Sequence, residues 1–258
     1  MSDPQLLLAS YLKTLRLPTF LREYATVARQ CDEKDAAYDG FLQQLAELEV
    51  QHRQVQSIAR RIKQAAFPVV KDLADFDFVA VPKLNKKRVL DLAKGAFIEQ
   101  RANVVLNGAP GVGKTHLAIG LGREACRNGQ KVRFFTASGL VNAYVEAREE
   151  RHITRLENHI RRHDLIIIDE LGYIPLDRVG AEHLFGFFSQ CYEQTSLIVT
   201  TNLPFAEWPQ IFADDERLAG ALLDRLTHHV YIVDITGDSY RLKTSLKQQR
   251  KKKGESAP

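Results

Sequence analysis

An α/β protein is predicted by this sequence: a parallel sheet flanked by helices, preceded by a small all-α domain. Three observations carry the prediction. After residue 102, five short β-rich runs, NVVLN, KVRFFT, DLIIIDE, SLIVTT and VYIVDI, alternate with helical segments, as parallel strands require because each crossover needs room for a helix. Before residue 67 the apolar residues instead recur every three or four positions, the period of a helix face. Between the first β run and the helix that follows it lies GAPGVGKT, a glycine-rich turn placed where open α/β sheets bind ligands.

The N-terminal helices come first. LLLASYLKTLRLP ends at Pro18, TFLREYATVARQ follows, and a longer segment from about Asp35 carries Phe41, Leu45, Leu48, Val55, Ile58, Ile62 and Ala66. These lie on one helical seam, with His52 filling the position between Leu48 and Val55 as a packing residue. Pro68 stops the helix, which sets a helical domain at 1–67. Residues 51–71 hold Arg53, Arg60, Arg61, Lys63 and Lys71 without an Asp or Glu. Arg53, Arg60 and Arg61 fall off the seam, and the run reads either as a solvated face or as a contact for DNA phosphates.

Residues 68–87, PVVKDLADFDFVAVPKLNKK, show no sustained period and read as an extended connector. One short helix, KRVLDLAKGAFIEQR, then leads into the α/β domain at 88–240, and residues 241–258 form a basic tail. Seven Lys or Arg and no acid occupy residues 241–253, which suits either DNA phosphates or plain solvation.

Gly108, Gly113, Lys114 and Thr115 satisfy G-x-x-x-x-G-K-[ST] between a strand and a helix, the context that identifies a phosphate-binding loop. Its glycines let backbone N–H groups turn inward around phosphates at a helix N-terminus. Gly108, Ala109, Pro110, Gly111, Val112, Gly113, Lys114, Thr115 and His116 are therefore the expected nucleotide-binding residues. Lys114 would reach the β- and γ-phosphates and Thr115 would take a Mg²⁺ position.

LIIIDE ends a fully apolar strand in Asp169 and Glu170. Asp169 is expected to hold Mg²⁺ through water, with Glu170 deprotonating an attacking water. A second carboxylate suits a hydrolase, whereas a small-molecule kinase must exclude water. The strand SLIVTTN places Asn202 at a neighbouring tip, where its amide reads either as a contact to the γ-phosphate and lytic water or as a turn cap. Arg225, near the end of the helix RLAGALLDRLTHH, reads either as a charge complementing the helix dipole or as a catalytic arginine supplied by a neighbouring subunit.

Composition adds exclusions. Lys plus Arg exceed Asp plus Glu by only 36 to 32, so overall charge names no partner. Cys31, Cys126 and Cys191 are far apart with no C-x-x-C pair, which argues against a disulfide framework or zinc site. Lacking a signal peptide or a long apolar run, the chain is expected to be cytoplasmic and free of the membrane.

Taken in order, GAPGVGKT, LIIIDE, TTN and LLDRL resemble the Walker A, Walker B, sensor 1 and arginine-finger elements of AAA+ ATPases. Longer stretches, including LIIIDELGYIPLD, SLIVTTNLPFAEWPQIF and LLDRLTHHVYIVDITGDSYRLK, resemble the IstB-type transposition helper ATPases, relatives of the DnaC helicase loaders, and the resemblance covers nearly the whole chain. It implies an ATP- and Mg²⁺-dependent P-loop ATPase, bacterial and nucleoid-associated, that assembles as a homo-oligomer on double-stranded DNA with little regard to sequence. ATP would sit between subunits, and an IstA-type transposase would be the partner. Lys114, Glu170, Asn202 and Arg225 would be the catalytic set. A replicative helicase loader is the alternative, its N-terminal helices then binding helicase. Only 23 residues follow Ile235, too few for the usual AAA+ helical lid, so no lid is expected and Arg241 is the candidate substitute for the sensor 2 arginine.

Overall fold

The computed structural model describes residues 4–240. The expectations about a missing lid, Arg241 and the basic tail concern residues beyond 240 and lie outside the described residues. The chain divides between Arg60 and Arg61 into two units.

The first unit is helical: α1 (Pro4–Thr14), α2 (Pro18–Glu33) and most of α3 (Tyr38–Ala65). Pro18 opens α2 rather than merely ending the segment before it, its fixed φ and missing N–H being suited to a first helical turn. Val27, Cys31 and Leu45 are buried together, with Phe20, Tyr24 and Phe41 packed against them. Leu17 provides no side-chain cap to α2. Glu49, reaching from α3, accepts a 3.0 Å hydrogen bond from the Thr19 N–H instead.

Arg53 completes this arrangement. Its Nε donates to Glu49 at 2.7 Å and its Nη2 to the Arg16 carbonyl, also at 2.7 Å. An arginine expected to face DNA is thus already engaged in joining α3 to the α1–α2 turn, while Arg60 and Lys63 are exposed and Arg61 is half-buried. The apolar seam of α3 is only partly used: Leu48 is 36% exposed and Val55 62%. At 1.5 Å per residue, α2 is roughly 24 Å long and α3 roughly 42 Å, so α2 cannot cover the whole seam.

Burial opposes ionisation of Glu49, but hydrogen bonds from Arg53 and Thr19 outweigh it and hold the carboxyl below its ordinary value. A depressed carboxyl stabilises the fold above the ordinary Glu range and loses that contribution as pH falls through the depressed value. Glu49→Gln is therefore expected to cost roughly 1–2 kcal/mol at pH 7. Urea unfolding of the full chain should show the gap between parent and variant closing as pH falls below the ordinary Glu range; a gap independent of pH would contradict this.

The second unit holds a five-stranded sheet: β1 (Asn103–Gly108), β2 (Val132–Thr136), β3 (Leu165–Leu171), β4 (Ser196–Thr201) and β5 (Val230–Ile235). The order is β2-β3-β4-β1-β5, and every pairing is parallel. Alternate residues serve two cores. Val104, Leu106, Leu165, Ile167 and Ile198 join one cluster, and Val105, Ile166, Ile168, Leu197 and Val199 the other. This two-sided burial is why the strands read as continuous apolar runs. Helices α6 (Lys114–Arg127) and α4 (Lys86–Ala93) cover the first face; α7 (Ala137–Glu149), α8 (Ile153–Ile160), α9 (Arg178–Cys191) and α10 (Glu216–Thr227) cover the second.

Two expectations are corrected here. The stretch from Lys86 to Glu99 is two helices: α4 stops and Gly95, at φ 84°, starts the short α5 (Ala96–Glu99). A left-handed backbone at that glycine cannot continue an α-helix. Nor is the connector extended throughout. It forms 3₁₀ turns at Leu73–Asp75 and Phe78–Ala80 and buries Leu73, Phe76, Val81 and Leu84 in the first-face core. Asp72 pairs with Arg123 at 2.9 Å and Arg127 at 2.6 Å, and those two guanidinium groups hold its carboxyl below the ordinary Asp value. The segment therefore belongs to the second unit, and the division falls inside α3.

Candidate nucleotide site

All five strands point their carboxyl ends toward one edge of the sheet, where the β1–α6 loop borders a cleft of about 390 Å³. Pro110 through His116 line it, with Glu170, Thr200, Thr201 and Asn202 from the neighbouring strand ends. Gly108 and Ala109, also expected to bind nucleotide, are absent from the lining: their carbonyls accept hydrogen bonds from Lys114 Nζ at 2.6 and 2.9 Å. The lysine is thus held along its own loop.

Glycine is required at two points for reasons of space. A Cβ at Gly108 would lie 2.3 Å from the Ile235 carbonyl oxygen, a backbone atom that cannot swing away. At Gly113, whose φ is 106°, it would lie 2.8 Å from the Phe76 ring. The loop is therefore clasped between the β5 end and the connector. His116 follows the same logic. Its Nε2 lies 2.8 Å from the Asp72 carbonyl and its ring meets Phe76 edge to face, so it ties α6 to the connector while bordering the cleft.

At the centre, the Thr115 hydroxyl donates to the Asp169 carboxylate, 3.0 Å from each oxygen. Asp169 is only 3% exposed. A buried carboxylate beside a hydroxyl at the mouth of a phosphate-binding loop is the oxygen-only chemistry that a hard divalent cation accepts, so these residues fit Mg²⁺. Glu170, in contrast, is exposed, and its backbone is left-handed at φ 62°. That turn sends the two adjacent acids to different surroundings: Asp169 into the sheet end and Glu170 into the cleft. Asn202 borders the cleft beside them.

Arg225 is elsewhere. Its Nη1 donates to the Ala221 carbonyl at 2.7 Å within α10, and its guanidinium stacks 5.0 Å from the Phe185 ring centroid on α9. It does not line the cleft of its own chain.

Several lining residues were not anticipated. Val69, Val70, Phe76 and Val81 bring the connector into the cleft as an apolar wall, and Tyr173, Asp238 and Tyr240 close other sides. The Tyr240 N–H donates to the Gly111 carbonyl at 3.0 Å, so the chain after β5 crosses the loop. Paired hydrophobes beside Pro68 were the available signal for the connector wall, but nothing in their spacing tells which partner they pack on.

The IstB-like ATP binding protein family matches residues 10–248. The ATP-binding protein of insertion sequence IS5376 from Geobacillus stearothermophilus is 37% identical over 245 residues, covering 95% of this chain and 97% of that one. Its counterpart from insertion sequence IS21 of Pseudomonas aeruginosa is 38% identical over 236 residues, covering 92% and 89%. Among solved structures, AMPPCP-bound DnaA from Aquifex aeolicus superposes with a TM-score of 0.56 at 20% identity, over 72% of this chain and 56% of that chain. DnaI superposes with a TM-score of 0.52 at 16% identity, over 66% and 89%. At those identities the structural likeness speaks for the fold alone. With a glycine-rich loop, a buried aspartate and an exposed glutamate at the carboxyl edge of a parallel sheet, and with matches spanning nearly its full length, the chain belongs to the IstB-like ATP-binding protein family and is a P-loop ATPase.

Proposed function

We propose that this protein is the ATPase helper of a transposition reaction, which binds duplex DNA as a homo-oligomer in its ATP state and presents that DNA to a partner transposase. The observation that carries the reading is the division of the catalytic set. Thr115, Glu170 and Asn202 line one cleft, with the buried Asp169 hydrogen-bonded to Thr115 behind it, while Arg225 lies outside that lining, an arrangement suited to an arginine delivered by the next subunit. The insertion-sequence relatives supply the context of transposition.

In this reading the triphosphate lies along the Gly111–Thr115 backbone with Lys114 turned from the loop carbonyls toward the β- and γ-phosphates. Thr115 and Asp169 hold Mg²⁺, which when bound neutralises charge on the phosphate oxygens. The connector's apolar wall receives the base. Glu170 takes a proton from water as that water's oxygen attacks the γ-phosphorus, and the bond to the bridging oxygen breaks to leave ADP and phosphate. Asn202 bonds the γ-phosphate, and Arg225 neutralises charge developing on it. Because a neighbouring subunit completes the site, bound ATP favours assembly and hydrolysis releases it.

The test is sedimentation of the protein with duplex DNA, with and without AMPPCP. Large DNA-bound assemblies are expected only with nucleotide; equal coating of DNA without it would overturn the reading. The DNA surface is assigned to the exposed, acid-free end of α3. Changing Arg60 and Arg61 together to alanine is expected to weaken duplex binding and to flatten the dependence of log Kd on log salt by about two phosphate contacts, since each neutralised phosphate contributes a slope of roughly 0.9. An unchanged slope would remove that helix as the contact surface.

A further inference from the structure

The β3–β4 pairing is irregular where the chemistry lies. Ile168 is opposite Val199 and Leu171 is opposite Thr201, with a register shift between. Two residues, Asp169 and Glu170, therefore face the single residue Thr200. This is a β-bulge, a device that re-aims side chains near active sites, and it is here that Glu170 takes its left-handed backbone.

Thr200 occupies the inside of the bulge, only 1% exposed. Its Oγ1 donates to the Asp169 carboxylate at 2.6 Å, and the same oxygen accepts the Glu170 N–H at 2.9 Å. A hydroxyl has one proton to give and two lone pairs, so both bonds form at once. One side chain thus fixes the carboxylate of the first acid and the backbone of the second. A valine of the same shape could do neither, and would leave the Glu170 N–H without this partner.

We propose that Thr200 is a positioning residue for ATP hydrolysis: it locks the bulge so that Glu170 projects into the cleft while Asp169 stays turned toward Thr115. It touches neither the water nor the γ-phosphate in this role and acts through the two acids. The inference rests on the reading of Glu170 as the base, and it adds a residue that the strand-end motif alone does not single out.

The experiment compares Thr200→Ser, Thr200→Val and Thr200→Ala with Glu170→Gln in the full chain, reading kcat, KM and equilibrium binding of AMPPCP. Serine keeps the hydroxyl and is expected to stay within about threefold of the parent. Valine and alanine are expected to lower kcat roughly tenfold to a hundredfold, the scale of one lost hydrogen bond to a charged group, with AMPPCP affinity changed less than about threefold. A packing role predicts the opposite order, valine active and serine impaired, and that result overturns the proposal. Should valine prevent folding, serine and alanine still differ only by the hydroxyl, and equal kcat values for those two overturn it. So does an alanine variant that loses AMPPCP binding in step with kcat, since Thr200 would then build the binding site rather than align the acids. Slow Glu170→Gln with Thr200→Val at the parental rate rejects Thr200 alone, whereas a parental rate for Glu170→Gln rejects the base assignment on which it stands.

Discussion

Glu170→Gln is expected to lower kcat for ATP hydrolysis by about 10²–10⁴-fold, the usual contribution of a positioned general base, while leaving ATP affinity nearly unchanged. The amide matches the carboxylate in shape but cannot take up the proton that the attacking water must lose. In the proposed reading the triphosphate is held by the loop residues Pro110 to His116, and none of those contacts uses the Glu170 side chain. Nor should the bulge collapse, because its hydrogen bond to Thr200 comes from the Glu170 backbone N–H. The consequence reaches beyond the rate. A variant that binds ATP and cannot consume it should persist on duplex DNA, so dissociation after dilution should slow along with turnover. Single-turnover hydrolysis and the lifetime of DNA-bound protein check both parts; normal turnover would remove Glu170 as the base.

What could be read beforehand divides along physical lines. All five strands were legible within a residue or two: the central β1, β3 and β4 because strands buried on both faces carry continuous apolar runs, as in LIII of β3, and the edge strands β2 and β5 because their β-branched and aromatic residues form short runs. The phosphate loop was legible because its spacing is imposed by a ligand. Long-range packing left no comparable trace. The connector's Leu73, Phe76, Val81 and Leu84 follow no period since 3₁₀ turns and extended stretches place them on the core one at a time. The seam of α3 had the right period yet leaves Val55 exposed, because periodicity reports a face and not the length of its partner. Sheet order was also hidden: β1 lies between β4 and β5, which local sequence cannot encode. The bulge at Glu170 was invisible for the same reason. It exists only as a mismatch between two strands.

Arg225→Ala is expected to lower DNA-stimulated ATP hydrolysis by about 10³-fold, the lower range for an arginine supplied in trans, and to leave ATP binding by isolated subunits intact. The structure gives this prediction its form. In its own chain Arg225 is held at the Ala221 carbonyl and on the Phe185 ring, away from the residues that line the cleft. A purely structural arginine at a helix end would contribute a charge–dipole interaction of roughly 0.3–1 kcal/mol to stability, far too little to explain a thousandfold rate loss in a folded protein. Mixing separates the two roles more sharply than either variant alone. Arg225→Ala keeps Glu170, and Glu170→Gln keeps Arg225, so each supplies what the other lacks if a site is built from two subunits. In an equimolar mixture about a quarter of the head-to-tail interfaces would carry both wild-type groups, and activity should return to a comparable fraction of the parent. If Arg225 acted within its own chain, no mixture of these two dead proteins could restore a complete site, and recovery would stay at the sum of the separate rates.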